Sequence, residues 1–280
     1  MKRFLFALIS AAVFATGNAQ TSENMKVVAH RGGALIGNEN TLSAFENGIR
    51  AGADLIELDV HLTADSVVVV CHDPTLNRTT DSKGRISELT LEQFKQARAL
   101  DRETGKPTDE ALPTLSEALD LIKGRAGVLL EIKKFRKGKY DGIEEKVLKL
   151  IEEKGMHDDV ICQSFDDEVI EKIHSLDPSV RVEKLIFCTL PFGNCFDTGF
   201  TSFSFEKYSY CSSINVYYKF ASDAFIKQCH NAGLEVKVWT VNELKNLNPN
   251  VDGVITNRPD LFRKHLDQRS ATSSVGTGVQ

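Results

Sequence analysis

Glu57, Asp59 and His72 stand in one short stretch, LIELDVHLTADSVVVVCHD from Leu55 to Asp73, among residues that otherwise favour burial. Side chains two apart on a strand share a face. Glu57 and Asp59 therefore point the same way, about 6.5–7 Å apart by the rise per residue. Two carboxylates that close repel unless a proton or a cation lies between them. At neutral pH a divalent cation with a preference for oxygen is the natural neutraliser; a solvated acidic strand face is the plainer alternative. Two apolar runs, Leu55–Val60 and Val67–Cys71, flank the polar turn Thr63–Ser66 and read as two strands folding back on each other. Centred on Ala64–Asp65, that fold sets His72 opposite Glu57 and delivers two metal ligands and an imidazole to one place.

Other polar groups end apolar runs in the same manner. His30 and Arg31 close Lys26–His30, Glu131 and Lys133 lie in GVLLEIK, Gln163 and Ser164 in VICQSF, and Trp239 ends LEVKVWT. An unpaired charge in a core strand costs several kcal/mol, so repetition on several strands points to convergence on one site. Charge then suggests roles. Glu57, Asp59 and Glu131 suit one divalent cation, Ca²⁺ or Mg²⁺. Arg31 and Lys133 suit an anion, and His30 and His72 suit a general base and a general acid. Each His taken alone also fits a structural imidazole, and Trp239 alone fits core packing; in company they describe phosphoryl transfer with electrostatic stabilisation.

Strand and helix alternate along nearly the whole chain, which predicts a parallel sheet with helical cover. A helix capped by Asn40 or Thr41 ends at Gly52, and Thr114 with Glu117 forms a capping box at the start of another. The polar segment Asp73–Leu112 reads as an insertion with one helix, Thr90–Leu100. Cys188–Tyr210 reads as a long loop, and residues 269–280 as a disordered tail. No GxGxxG follows the first strand and no GxxxxGK[ST] occurs. About nine strand candidates predict a (β/α)8 barrel, the Leu55–His72 pair being the departure from a plain repeat.

The 280 residues fit one large domain, expected over residues 20–268. The net charge of −5 argues against a general nucleic-acid binder but not against an anionic small-molecule substrate. Lys2 and Arg3, the apolar run Phe4–Phe14 and Gly17-Asn18-Ala19 read as a cleavable signal peptide, residues 1–19, too short to stay inserted in a membrane. The expected location is therefore periplasmic or secreted. Six cysteines show no metal-finger spacing; Cys71 and Cys162 read as buried thiols, and a disulfide is expected within Cys188, Cys195 and Cys211.

HRGG at His30, ENT at Glu39, ELDVHLTADSVVVVCHDPTLNRTT from Glu57, LPTLSEAL from Leu112, LEIK from Leu130, VWTVN from Val238 and DGVITNRP from Asp252 resemble, in order, the glycerophosphodiester phosphodiesterase family. The resemblance implies a barrel with a small insertion and metal-dependent hydrolysis of a glycerophosphodiester to glycerol 3-phosphate and an alcohol. It implies His30 and His72 as the acid–base pair, Glu57, Asp59 and Glu131 as metal ligands, Arg31 and Lys133 as phosphate contacts and Trp239 as a substrate contact. Attack by the glycerol 2-hydroxyl or directly by water both fit. A phospholipase D-like enzyme acting on lysophospholipids or sphingolipids is the nearer alternative, with the Phe-rich segment Thr201–Tyr210 as its groove. A non-catalytic barrel binding glycerophosphate polymers is the other.

Overall fold

The computed structural model describes residues 25–134, 140–190, 193–196, 199–201 and 204–276. The expected signal peptide and residues 277–280 lie outside them. In order the chain runs β1 (Lys26–Ala29), α1 (Leu42–Arg50), β2 (Leu55–Leu62), β3 (Val68–Val70), α2 (Leu91–Phe94), β4 (Arg98–Leu100), β5 (Pro107–Ala111), α3 (Leu115–Ile122), β6 (Gly127–Ile132) and α4 (Ile143–Lys154). It continues with β7 (Val160–Ser164), α5 (Asp167–Leu176), β8 (Arg181–Ile186), β9 (Cys188–Leu190), β10 (Gly193–Phe196), β11 (Gly199–Thr201), β12 (Ser213–Tyr217), α6 (Asp223–Asn231), β13 (Glu235–Trp239), β14 (Gly253–Thr256) and α7 (Pro259–Gly276).

Eight strands pair in parallel around a closed ring, β1-β2-β6-β7-β8-β12-β13-β14, with β14 returning to β1. This is the expected (β/α)8 barrel. The alternation of β2 shows how sequence builds it. Ile56, Leu58, Val60 and Leu62 face outward into the core shared with Phe45 of α1, Leu119 of α3 and Val147 of α4. Burying each such side chain contributes about 1.5–3 kcal/mol. Leu55 faces inward and packs on the barrel floor of Val28, Leu129, Ile161 and Ile255. Part of the interior is polar. Lys237 donates to Glu183 at 2.6 Å, and Asn215 donates to Glu183 at 2.8 Å and Gln163 at 2.9 Å. Mutual pairing is what makes these buried groups tolerable.

The ninth strand is β3, antiparallel to β2, with Val60 opposite Val70 and His61 opposite Val69. The hairpin is centred on Asp65 rather than between Ala64 and Asp65, a register shift of one residue, because Thr63 pairs with Val67 across a turn in which Ser66 takes the left-handed conformation. The amide of Cys71 bonds the Asp59 carbonyl, so His72 does not stand opposite Glu57. Three further expectations change. The insertion helix stops at Phe94; the amide of Arg98 is taken by Asp81, and the chain turns into the β4–β5 hairpin. Where a long loop is expected, β9, β10 and β11 form an antiparallel sheet of three strands too short to show alternation in sequence. Residues 269–276 continue α7; buried Phe262 and Leu266 anchor the helix, and the Ser270 and Thr272 hydroxyls bond carbonyls of the preceding turn.

Cys71, Cys162, Cys211 and Cys229 are buried free thiols, which narrows the expected disulfide of the trio to Cys188 and Cys195. Cys188 and Cys195 are register partners on β9 and β10. Burial pushes the four free thiols up to about 12. At pH 8 only about one in 10⁴ of each is thiolate. These four cysteines should resist alkylation in the native protein and react on unfolding, as peptide mapping by mass spectrometry would show.

Candidate active site

Glu57 and Asp59 project from β2 into the barrel, and Glu131 of β6 is the register partner of Asp59. All three are buried, and one oxygen from each lies within 4.8 Å of the others. Burial and the neighbouring carboxylates push Glu57 well above the usual carboxylate range. Burial likewise lifts Glu131 to about 7, against the pull of Lys133. Burial opposes the charge on Asp59 too, but Lys133, His72 and Arg31 hold it well below the usual range. Asp59 Oδ2 accepts from Asn40 at 2.8 Å. Its Oδ1 is buried beside the Lys133 ammonium, 2.8 Å away. An oxygen-only set of three clustered carboxylates fits a hard divalent cation.

The two cations lie against these carboxylates. Arg31 follows β1 in a left-handed conformation, its amide donating to Glu57 at 2.7 Å and its Nη1 to Glu39 at 2.9 Å. Gly32 beside it, with φ 83°, is pressed onto α1: a Cβ there would lie 2.8 Å from the backbone of Ala44. That close approach explains the glycine in HRGG. Lys133 follows β6, and its ammonium reaches Glu131 at 2.5 Å and Asp59 at 2.8 Å.

The two imidazoles have different partners. His30 Nδ1 lies 2.7 Å from the amide oxygen of Asn257, which only accepts, so the proton sits on Nδ1 and Nε2 keeps its lone pair. Burial and then Arg31 hold His30 neutral, down to about 3. His72 Nδ1 lies 2.7 Å from the Asp73 carboxylate. Burial lowers His72 as well, and the pull of Asp59 and Asp73 offsets that only in part. His61 sits beneath it as a structural imidazole, between the Tyr140 hydroxyl at 2.7 Å and the His72 carbonyl at 3.1 Å.

The structure thus gathers His30, Arg31, Glu57, Asp59, His72, Glu131 and Lys133 at the ends of β1, β2 and β6 and just beyond β3. It places Trp239 elsewhere on the mouth, at the end of β13. Five partners went unassigned in the sequence: Glu39, Asn40, Asp73, Arg78 and Asn257. Their signal was position inside ENT, CHD, NRTT and TNRP. Arg78 is the least expected. From the insertion it binds Asp73 at 2.7 Å and Glu39 at 2.7 and 2.9 Å, so His72 and Arg31 are joined through one guanidinium. Arg78→Gln should lower kcat about tenfold and shift the acid-side pH profile, while a purely structural role would lower stability alone. Steady-state kinetics against pH, beside thermal melting, would separate the two.

Among known proteins, a model of the glycerophosphoryl diester phosphodiesterase family matches residues 30–261. A glycerophosphodiester phosphodiesterase of Caldanaerobacter subterraneus subsp. tengcongensis is 33% identical over 84% of this chain and 94% of its own length. One of Bacillus subtilis is 30% identical over 93% of this chain and 92% of its own. An Oleispira antarctica phosphodiesterase, solved in complex with the product sn-glycerol-3-phosphate, superposes with a TM-score of 0.73 at 25% identity, covering 86% of this chain and 96% of that one.

Proposed function

The chain belongs to the glycerophosphoryl diester phosphodiesterase family, and from that premise we propose that it hydrolyses glycerophosphodiesters to sn-glycerol 3-phosphate and an alcohol, with a divalent cation held by Glu57, Asp59 and Glu131. The observation that carries this reading is the three buried carboxylates flanked by two differently partnered imidazoles and two cations. The bound cation would supply positive charge to the phosphoryl oxygens.

The side chains do the rest. Arg31 and Lys133 offset the charge of the phosphate and fix its orientation. His30, kept neutral with its free Nε2 lone pair, takes the proton of the attacking hydroxyl. His72, its charged form supported by Asp73, gives a proton to the leaving alcohol. Asn40, through Asp59, and Asn257, through His30, hold these groups in place. The glycerol 2-hydroxyl or water can supply the attack; a diester lacking that hydroxyl separates them, because normal turnover would exclude the internal route. The N-terminal segment, positive and then apolar, supports work outside the cytoplasm, which fractionation of the expressing cell would check.

The direct test follows glycerol 3-phosphate release from glycerophosphocholine and glycerophosphoethanolamine, with Ca²⁺ or Mg²⁺ and with chelator. Release that requires the cation supports the reading. Release indifferent to chelator would overturn the role given to the three carboxylates.

A further inference from the structure

The barrel mouth is divided into two halves of four adjacent strands each. The ends of β14, β1, β2 and β6 carry Asn257, His30, Arg31, the carboxylates and Lys133. The ends of β7, β8, β12 and β13 carry rings: Phe165, Phe187, Tyr217 and Trp239, joined by Phe220 from the turn after β12. Trp239 meets Phe165 at 5.5 Å and 87° and Tyr217 at 5.4 Å and 54°. Phe187 stacks on Tyr217 at 5.1 Å and tilts by 54° to Phe220. The indole is fixed from below by its bond to the Asn215 carbonyl at 3.1 Å. Phe187 and Phe220 remain 37% exposed, two of the four exposed large apolar side chains among the described residues.

The stacked pair Phe187–Tyr217 meets the indole of Trp239 at 58° and 54°, a corner rather than a flat groove, and a corner suits a compact group better than a chain. Among the described residues the corner is built of rings. Three acids that follow these rings in the chain, Asp166, Asp223 and Glu243, are bonded to Lys134, Asn248 and Lys245. A primary ammonium needs hydrogen-bond acceptors when it leaves water; a quaternary ammonium donates none and binds aromatic faces. Resting on the phosphodiesterase reading of the charged half, we propose that the aromatic half holds the alcohol moiety of the diester and selects a quaternary ammonium head group, with Phe187 and Tyr217 as specificity-determining side chains beside Trp239.

Two measurements test this. The first is kcat/KM for glycerophosphocholine against glycerophosphoethanolamine at saturating divalent cation. The expected ratio is about tenfold in the wild type, falling towards one in Phe187→Leu and returning in Phe187→Tyr. The second is independent of catalysis: Trp239 is the single tryptophan, so its fluorescence should respond to tetramethylammonium and not to methylammonium. Equal kcat/KM for the two diesters, or a ratio unmoved by Phe187→Leu, would overturn the assignment. A fluorescence response to both amines or to neither would overturn it too. Better turnover of lysophosphatidylcholine, lost in Phe187→Leu, would give the corner to an acyl chain instead. Absence of all turnover alongside a selective fluorescence response would leave the quaternary-ammonium site standing and remove the reaction.

Discussion

His72→Ala should lower kcat on glycerophosphocholine by about 10²–10⁴-fold, the range of a lost general acid. An alkoxide leaves phosphorus poorly unless it is protonated as the bond breaks. The imidazole bonded directly to a carboxylate is His72, on Asp73 at 2.7 Å, whereas His30 is bonded to the neutral Asn257. A leaving group that needs no proton makes the test specific. With a p-nitrophenyl phosphodiester of glycerol, the His72→Ala deficit should shrink to about tenfold or less. His30→Ala, which removes the proposed base, should lose comparably on both substrates. Equal losses by His72→Ala on both substrates would exclude leaving-group protonation as its task.

Adding Ca²⁺ or Mg²⁺ at about 100 times its dissociation constant should stabilise the folded chain by about 2.7 kcal/mol. In a domain of this size that is about 5–10 °C of melting temperature. The effect should vanish in Asp59→Asn, which keeps the volume and removes the charge. It should also depend on pH with a definite sign. Glu131 is raised in the folded chain to about 7 from an ordinary 4.5. Between those values the folded chain holds a proton that the unfolded chain has lost, so the cation-free protein loses stability as pH rises through that window. A bound cation displaces that proton, and its stabilisation should grow over the same window. Thermal melts with cation and with chelator at pH 5 and pH 8 would check both parts. A larger gain at pH 5, or an undiminished gain in Asp59→Asn, would exclude the three carboxylates as the binding set.

The barrel was legible because each element announces its buried stripe locally. Ile56, Leu58, Val60 and Leu62 alternate with Glu57, Asp59 and His61 whatever the rest of the chain does. The carboxylates stood out for a related reason, since charges are costly in buried strands. What was not legible depends on contacts that sequence does not display. The hairpin register turned on Ser66 adopting a left-handed conformation, and the β9–β11 strands were shorter than any period they could reveal. The partners Asn40, Asn257 and Arg78 are residue types at home in caps and turns or on solvated faces. Only the folded chain shows Asn40 on Asp59, Asn257 on His30 and Arg78 between Glu39 and Asp73.

The bond from His30 to Asn257 also gives the site an order of assembly. Glu57, Asp59 and His72 lie on one hairpin and the segment leaving it, and β6 joins them over a modest separation. Such contacts close early because little chain entropy is lost. His30 is anchored across 227 residues, at the seam where the first strand meets the last. The His30–Asn257 pair is therefore complete only when the two ends of the barrel have met. During refolding, recovered turnover would mark the closing of that seam, later than the return of helix and strand, and enzymatic rate would serve as a clock for the final step of the fold.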